Sequence, residues 1–250
     1  MKIVAIIPAR YESSRFQGKP LADICGKLMI ERVYLQAKKV KEFEEVYVAT
    51  DDERIYSACK ERNIQCMMTS SCHKTGTDRV GEVAQKVTAD IYVNIQGDEP
   101  LIEPETIRKA ILPFMEQKNA NIQVTNLMTR IHNPADLINI TVPKVIASRE
   151  GRGIYLTRSA APFPKGNINI NYYKQVCVYG FTPEALQFFC KSSRGQIEAI
   201  EDIEILRFIE DGYYVHFIEV DSETIAVDTP HDLERVIEYV KIHSKEGFET

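Results

Sequence analysis

Three cationic side chains follow the first apolar run of the chain within about ten residues. Arg10, Arg15 and Lys19 come after the Val- and Ile-rich residues 3–7, in a segment without the glycine spacing of a Walker or dinucleotide-binding loop. Arginine binds phosphate oxygens in a two-pronged manner, and lysine adds a mobile point charge. The segment therefore suits a polyanion such as a departing pyrophosphate, whereas a solvated basic loop is the more ordinary interpretation of three such cations.

Two aspartates each follow an apolar run and suit a divalent cation. Asp98 comes shortly after residues 91–95, and Asp228 ends the run 225–227 before Pro230. Magnesium prefers oxygen ligands and usually binds one or two protein carboxylates together with substrate phosphates. For Asp228 the alternative is a cap on the helix that Pro230 begins, since aspartate is common at that position. The residues alone leave both interpretations of Asp228 open.

The elements that must position these side chains alternate in type through the first half of the chain. Short Val- and Ile-rich runs alternate with segments of helical period, which is typical of βαβ units around a buried parallel sheet. Thr77 and Asp78 are predicted to cap the third helix, and Pro104 to begin the fourth. Ligands of such sheets bind beyond the carboxyl ends of the strands. Strands are predicted near 2–7, 45–49, 91–95 and 122–128, and helices near 28–40, 52–62, 77–87 and 104–116.

The alternation changes after about residue 141. On a helix predicted at 198–211, Glu201 and Glu204 are three residues apart and would share one face. The whole pattern predicts a single domain over residues 1–250, with a doubly wound, mostly parallel α/β sheet and a small mixed-sheet insertion at about 141–181. The other predictions are strands at 142–147, 173–181 and 214–220, a helix at 183–191 and a final helix after Pro230.

Composition and charge argue against several classes of partner. The net charge is −5, and acidic and basic residues are interspersed, so no basic stripe is expected to bind nucleic acid. Six cysteines are scattered without a C-x-x-C pair and are expected to be reduced. No apolar run reaches the length of a signal segment or a membrane span. We expect a cytoplasmic protein that does not bind a membrane.

Six motifs occur in order along the chain. They are Ile7-Pro8-Ala9-Arg10-Tyr11 with Gly18-Lys19-Pro20-Leu21, Val48-Ala49-Thr50-Asp51-Asp52, His73-Lys74-Thr75-Gly76-Thr77-Asp78-Arg79, Asn94-Ile95-Gln96-Gly97-Asp98-Glu99-Pro100, Tyr155-Leu156-Thr157-Arg158 and Val227-Asp228-Thr229-Pro230. In sequence and order they resemble the 3-deoxy-manno-octulosonate cytidylyltransferases, also called CMP-Kdo synthetases. The resemblance covers nearly the whole chain, so it does not depend on any single motif.

The resemblance implies a fold like that of the nucleotide-diphospho-sugar transferases. It implies that CTP activates a 3-deoxy-2-keto sugar acid, giving the CMP-sugar and pyrophosphate, for lipopolysaccharide, capsule or another glycan. A homodimer through the subregion at about 141–181 is implied, as is Mg²⁺ bound by Asp98 and Asp228. The implied catalytic residues are Arg10, Arg15, Lys19 and Asp98. The implied nucleotide contacts are Pro8, Ala9, Arg10, Lys19, Thr75, Gly76, Arg79 and Gln96. The implied acceptor contacts are Arg79, Gln96, Arg158, Gln175, Tyr179 and Glu204.

Two positions depart from the family pattern. Gln175 stands where the family usually has histidine, and Ile205 replaces an amide in the family's Glu-Gln-Leu-Arg. Both changes concern the acceptor, so the alternatives include the same chemistry on 8-amino-Kdo, another ulosonate or a nonulosonate. A non-catalytic nucleotide-binding protein is the alternative from a different class. The joint presence of the cations and carboxylates described above argues against it.

Overall fold

The computed structural model describes residues 1–13, 15–116, 122–166, 170–221 and 225–244. The chain forms two compact units, of which the first comprises Met1–Ile107 and Glu223–Thr250 and the second comprises Arg108–Ser222. The subregion predicted at about 141–181 lies within the second unit. In the described part of the chain, no helix is both long and apolar enough to cross a lipid bilayer.

The first unit is built on a parallel sheet with buried central strands. Its elements, numbered along the whole chain, are β1 (Ile3–Ala9), β2 (Asp23–Ile24), β3 (Lys27–Leu28), α1 (Met29–Lys38), β4 (Phe43–Thr50), α2 (Glu53–Glu61), β5 (Cys66–Met68), α3 (Gly76–Ala84), β6 (Ile91–Ile95), α4 (Pro104–Lys109) and α10 (Pro230–Ser244). Strands β6, β1, β4 and β5 lie side by side, and all pair in parallel. Every residue of β1 and β6 is buried, which explains their nearly uninterrupted apolar sequences.

The helices of the first unit pack on this sheet. Helices α1, α2 and α3 contact β4, β5 and β1 respectively. Thr75 caps α3, because its Oγ1 accepts a hydrogen bond from the Asp78 amide at 3.1 Å and the Asp78 carboxylate accepts one from the Thr75 amide at 3.1 Å. The cap predicted at Thr77 and Asp78 is therefore wrong by two residues, since Asp78 closes a capping box from inside the helix.

The second unit is built on a mixed sheet. Its elements are α5 (Leu112–Met115), β7 (Val124–Arg130), α6 (Pro134–Ile138), β8 (Lys144–Ala147), β9 (Gly153–Thr157), β10 (Tyr173–Phe181), α7 (Pro183–Lys191), α8 (Gln196–Glu201), α9 (Leu206–Glu210) and β11 (Val215–Glu219). Strand β7 pairs in parallel with β11 and antiparallel with β10, and β8 pairs antiparallel with both β10 and β9. The predicted class, a mostly parallel α/β sheet with a mixed part, is confirmed.

Two of the predicted helices are interrupted. The helix predicted at 104–116 ends at Lys109 and is followed by the separate short helix α5. The helix predicted at 198–211 ends at Glu201, because Asp202 has a left-handed backbone with φ of 52°. Glu204 lies in the turn before α9, so the prediction that Glu201 and Glu204 share a helix face is wrong. Strand β9, a five-residue strand that begins at a glycine, has no counterpart among the predicted strands.

Candidate functional site

One lysine lies between the two candidate metal-binding carboxylates. The Nζ of Lys19 is 3.5 Å from Oδ2 of Asp98 and 3.7 Å from Oδ1 of Asp228, and it donates a hydrogen bond of 2.9 Å to the carbonyl of Val227. The three charged side chains are 18%, 27% and 28% exposed, so solvent only partly screens their attraction. We call Lys19, Asp98 and Asp228 the carboxylate cluster.

Backbone and core contacts bring the two aspartates together from distant parts of the chain. Asp98 follows the carboxyl end of β6, and its carbonyl accepts a 2.8 Å hydrogen bond from the amide of Val227. Val227 itself is fully buried in a hydrophobic cluster of the first unit. The other buried members of that cluster are Ile24, Met29, Val236 and Val240. The position of Asp228 therefore depends on the core of the first unit and on the hydrogen bond between Val227 and Asp98, the residue that follows β6.

The carboxylate of Asp228 does not cap the last helix. The amide of Thr229 donates to Oδ2 of Asp232 at 2.9 Å, and the amide of Asp232 donates to Oγ1 of Thr229 at 3.3 Å. These two residues form the capping interactions of α10. Instead, Arg15 contacts both carboxylate oxygens of Asp228, each at 3.2 Å. The interpretation of Asp228 as a helix cap is therefore wrong, because Thr229 and Asp232 cap the helix, and its role as a metal ligand stays a prediction.

The cationic loop is folded around a tyrosine ring. Gly18 has φ of 70°, and its amide donates to the carbonyl of Tyr11 at 2.8 Å. A Cβ at Gly18 would lie only 3.1 Å from the Tyr11 ring, while the guanidinium carbon of Arg54 lies 3.3 Å from the ring centroid. This packing fixes the turn that carries Lys19. Arg10, by contrast, is exposed and has no charged or hydrogen-bonded partner among the described residues.

A narrow surface follows β1, next to the start of α3. A Cβ placed on Gly76 would lie 2.6 Å from Nε2 of Gln96 and 3.1 Å from Cγ of Pro8. A side chain at this position would push Gln96 aside, so glycine lets Gln96 and Pro8 pack directly against the amino terminus of α3. Pro8 and Ala9 are both buried at the end of β1. The structure thus brings together four of the residues predicted to contact nucleotide: Pro8, Thr75, Gly76 and Gln96.

Arg79 is buried rather than open to solvent. It is 4% exposed, its Nη2 lies 3.2 Å from Oδ2 of Asp51, and its Nη1 donates to Oγ1 of Thr69. Asp51 and Thr69 follow the carboxyl ends of β4 and β5, so this guanidinium links two neighbouring strand ends. Its predicted contacts with nucleotide and acceptor stay predictions.

Glu82 was not among the candidates, yet it anchors the loop before α3. Its Oε2 accepts a 2.7 Å hydrogen bond from the amide of Ser70 and lies 2.7 Å from Nε2 of His73. Its Oε1 lies 2.8 Å from Nζ of Lys86. Burial by itself would raise the pKa of Glu82, but the hydrogen bonds from Lys86, Ser70 and His73 outweigh it and lower the pKa to about 2. His73 therefore positions a loop by contacting an ionised carboxylate.

In the second unit, Arg158 contacts three backbone carbonyls. Its Nε donates to Glu201 at 2.6 Å, its Nη1 to Ile140 at 2.9 Å and its Nη2 to Asp202 at 2.9 Å. The Glu201 carboxylate in turn accepts from the amide of Arg158 at 2.8 Å and from Oγ1 of Thr157 at 2.7 Å. Arg158 thus joins the residues after α6 to the end of α8. Its predicted grip on an acceptor carboxylate stays a prediction.

Gln175 belongs to a network at an irregularity in β10. The Nδ2 of Asn126 donates to the carbonyls of Val176 and Val178, both at 2.9 Å, where the register between β7 and β10 shifts. Because that amide nitrogen is committed, Oδ1 of Asn126 must be the acceptor that meets Nε2 of Gln175 at 2.8 Å. Oε1 of Gln175 is therefore the atom available to a donor. Tyr179, at the other side of the irregularity, is only 4% exposed.

The carboxylate cluster has one feature that fits a magnesium ion. Oδ1 of Asp98 is buried and has no hydrogen-bond partner among the described residues, which is costly unless something binds it. In those residues no group of three or more His, Cys, Asp or Glu side chains is placed to hold a metal. A site of two carboxylates completed by substrate phosphates matches magnesium better than a metal held entirely by protein ligands.

Comparison with known proteins identifies similar sequences over nearly the full length. A family model described as cytidylyltransferase matches residues 4–225. A protein of Geotalea uraniireducens named 3-deoxy-manno-octulosonate cytidylyltransferase is 44% identical over 252 residues, which is 96% of this chain and 100% of that protein. A protein of the same name from Fusobacterium nucleatum is 42% identical, over 96% of this chain and 98% of its own length.

Two solved structures resemble this chain in fold. A structure of CMP:2-keto-3-deoxy-manno-octonic acid synthetase complexed with CTP matches with a TM-score of 0.90 and 38% identity, covering 97% of this chain and 100% of that chain. A putative glucose-1-phosphate thymidylyltransferase from Bacillus anthracis matches with a TM-score of 0.69 and 15% identity, covering 96% and 95%. The second comparison supports the fold alone.

Proposed function

We propose, from the premise that this chain belongs to the 3-deoxy-manno-octulosonate cytidylyltransferase family, that the carboxylate cluster is the centre at which CTP activates the sugar acid. The chain is a CTP-dependent nucleotidyltransferase that converts the acid to its CMP derivative and releases pyrophosphate. One observation carries the assignment of the centre: two carboxylates and a lysine from distant segments meet beyond the end of a buried parallel strand.

The proposed chemistry is a direct displacement at the α-phosphorus. The anomeric hydroxyl of the sugar acid loses its proton to solvent and forms the new P–O bond, while the bond from the α-phosphorus to the oxygen that bridges it to the β-phosphorus breaks, so that this oxygen leaves with pyrophosphate. Arg10, Arg15 and Lys19 would bind the β and γ phosphates and stabilise the charge that develops on the leaving pyrophosphate. Arg10 is exposed and Arg15 is half exposed, so both can reach a bound triphosphate. No covalent enzyme intermediate is required.

We further propose that Asp98 and Asp228 hold Mg²⁺ during the reaction. When bound, the ion would neutralise charge on the α-phosphate and lower the pKa of the attacking hydroxyl. The unpartnered Oδ1 of Asp98 supports this assignment. The 2.8 Å hydrogen bond from Val227 to the Asp98 carbonyl would keep the two carboxylates at a fixed separation.

The acceptor is Kdo, and Gln175 is the residue in which specificity is most open to test. Its Oε1 can accept a hydrogen bond from either a hydroxyl or an ammonium group, since its Nε2 is held by Asn126. Gln175 therefore makes the 8-amino analogue the appropriate competitor in an assay. Ile205 is 1% exposed, and its hydrocarbon side chain cannot form a hydrogen bond with the acceptor.

The homodimer and the cytoplasmic location are also proposals. Ile138, Ile140 and Ile200 are 75%, 69% and 74% exposed, which is unusual for three isoleucines in one unit. Arg158 links the backbone near Ile140 to the backbone near Ile200, because it donates hydrogen bonds to the carbonyls of Ile140 and Glu201. A second copy of the chain that covers these side chains would remove apolar surface from water. Light scattering of an Ile140→Glu variant tests this, with a monomer expected in place of a wild-type dimer.

The reaction is tested by pyrophosphate release. Purified protein with Mg²⁺ and CTP would be given Kdo, 8-amino-Kdo or a sialic acid in parallel. Asp98→Asn should abolish release, whereas Asp90→Asn is the matched control, because Asp90 lies at the opposite, amino end of β6. Lys19→Met should lower turnover by roughly 10²–10³ fold, the scale for loss of one preorganised charge-stabilising donor. Absence of release with every acid, despite measurable CTP binding, would refute the proposed reaction.

A further inference from the structure

We propose that Lys19 and Arg15 act as internal counter-ions of Asp98 and Asp228, so that these carboxylates bind a divalent cation with full affinity only after the phosphates of CTP have drawn the two cations away. The metal and the nucleotide would then bind with positive coupling. This inference rests on the proposed function, because it assumes that the carboxylate cluster is the metal site.

The ammonium group of Lys19 lies among three acceptors. It donates a 2.9 Å hydrogen bond to the carbonyl of Val227 and lies 3.5 Å from Oδ2 of Asp98 and 3.7 Å from Oδ1 of Asp228. Its position between the carboxylates is where a bridging cation would be most stabilised. A divalent ion that approaches both aspartates must therefore displace the ammonium or bind beside it against charge repulsion.

The carboxylates are fixed, whereas the two cations can move. The backbone of Asp98 is hydrogen-bonded to Val227, and Val227 is fully buried. Lys19 has a flexible four-carbon stem, and the Arg15 side chain is 50% exposed with both of its contacts at 3.2 Å. The half-exposed pair of Arg15 with Asp228 is of the weak kind that exchanges partners readily. A triphosphate offers both cations a more highly charged partner without any change in the backbone.

The coupling must be reciprocal. If nucleotide binding raises the affinity for the divalent ion by some factor, the ion raises the affinity for nucleotide by the same factor. Oδ1 of Asp98 is buried and lacks a hydrogen-bond partner among the described residues, so a bound ion would supply the contact that this oxygen lacks. The order of events is thus phosphate binding by the cations, followed by tight metal binding.

The test measures Mn²⁺ binding by electron paramagnetic resonance, with and without CTP and with no sugar acid, so that no turnover occurs. Without CTP, Lys19→Gln should bind Mn²⁺ at least about fivefold more tightly than the wild type, the lower end of typical coupling between sites. Arg10→Gln is the matched control, because it removes a charge from the same loop but has no described contact with either carboxylate. CTP should raise Mn²⁺ affinity more in the wild type than in Lys19→Gln. Each protein is saturated with CTP, because Lys19→Gln is also expected to bind CTP more weakly, and chelation of Mn²⁺ by free CTP is subtracted with a protein-free titration.

Two outcomes would overturn the inference. One is a Lys19→Gln variant that binds Mn²⁺ no more tightly than the wild type without CTP. The other is an Arg10→Gln variant with the same gain as Lys19→Gln, which would show a general charge effect. Asp98→Asn separates this failure from that of the proposed function: if it retains Mn²⁺ binding, the metal site itself is wrong, whereas if it loses binding the site stands and only the counter-ion role fails.

Discussion

A buried ion pair in the second unit allows a quantitative prediction. Glu198 is completely buried and Arg207 is 4% exposed. The two side chains form a two-pronged pair, with Nε to Oε2 at 2.7 Å and Nη2 to Oε1 at 2.7 Å. The remaining Nη1 donates to the carbonyl of Phe189 at 2.8 Å. The perturbation is Arg207→Met, which keeps much of the side-chain volume and removes the charge.

The expected loss of stability is large. Removing one partner of a buried pair leaves the other charge without compensation and typically costs about 3–5 kcal/mol. Arg194 lies 3.7 Å from Oε1 of Glu198 and is only partly buried, so it would recover a part of this loss. We therefore expect about 3 kcal/mol, the lower end of the range. The double variant Glu198→Met with Arg207→Met should be less destabilised than Arg207→Met alone, because no charge remains buried.

Urea denaturation of the wild type, both single variants and the double variant completes a double-mutant cycle. A coupling free energy of about 2 kcal/mol or more is expected. The reasoning is refuted if Arg207→Met loses less than about 1 kcal/mol, or if the losses of the two single variants simply add in the double variant. A kinetic measurement accompanies the stability measurement. Arg207 holds Glu198 in α8, α8 ends at Glu201, and Glu201 binds Arg158, which is predicted to contact the acceptor. Arg207→Met should therefore raise the KM for the sugar acid more than the KM for CTP.

Three further predictions concern other parts of the chain. The pKa of Glu82 is lowered to about 2, so its ion contacts stabilise the fold above about pH 4.5, and this contribution is lost as the pH falls toward 2. Glu82→Gln should therefore lose about 2 kcal/mol at pH 7 and much less at pH 3 in urea titrations, whereas Lys86→Met, which removes a half-exposed partner, should lose under about 0.5 kcal/mol. Gly76→Ala should weaken CTP binding at least about tenfold by calorimetry, because its Cβ would meet Gln96; unchanged affinity would exclude this surface from the nucleotide site. Asn126→Leu leaves two buried carbonyls of β10 unpaired, so it should cost about 2–4 kcal/mol, and a loss below about 1 kcal/mol would mean that water replaces the amide.

The elements that could be predicted well are those whose sequence is dominated by burial. Strands β6 and β10 and helix α7 have the predicted bounds. A short apolar run defines β6, aromatic and β-branched residues define β10, and a helical period that begins at a proline defines α7. The helix predicted at 198–211 failed because a single residue, Asp202, adopts a left-handed conformation that the apolar period does not reveal. The periodicity of apolar residues therefore predicts whether a segment is a helix or a strand. It does not predict where a helix is interrupted, because that depends on the backbone angles of single residues such as Asp202.

Some features of the candidate site could be predicted from the sequence and others could not. That Asp98 would lie near the cationic loop could be inferred, because segments after parallel strands meet at one edge of a sheet. The position of Asp228 could be expected only from the family resemblance, because the described residues directly before it form no strand. That Arg15 binds Asp228 directly could not, nor could the contacts of Glu82 or Glu201 with loop backbone. These contacts all involve irregular segments, whose positions are set only once the whole chain has folded.

The hydrogen bond between Val227 and Asp98 also bears on how this architecture can diversify. Nearly all of the chain between these two residues belongs to the second unit, so that unit is a loop closed by the first. The entropic cost of closing a loop rises only logarithmically, by about 0.6 kcal/mol for each doubling of its length. Insertions or deletions in the second unit would therefore hardly change the free energy of assembling the two carboxylates. A lineage could therefore remodel the second unit while inheriting the carboxylate cluster intact.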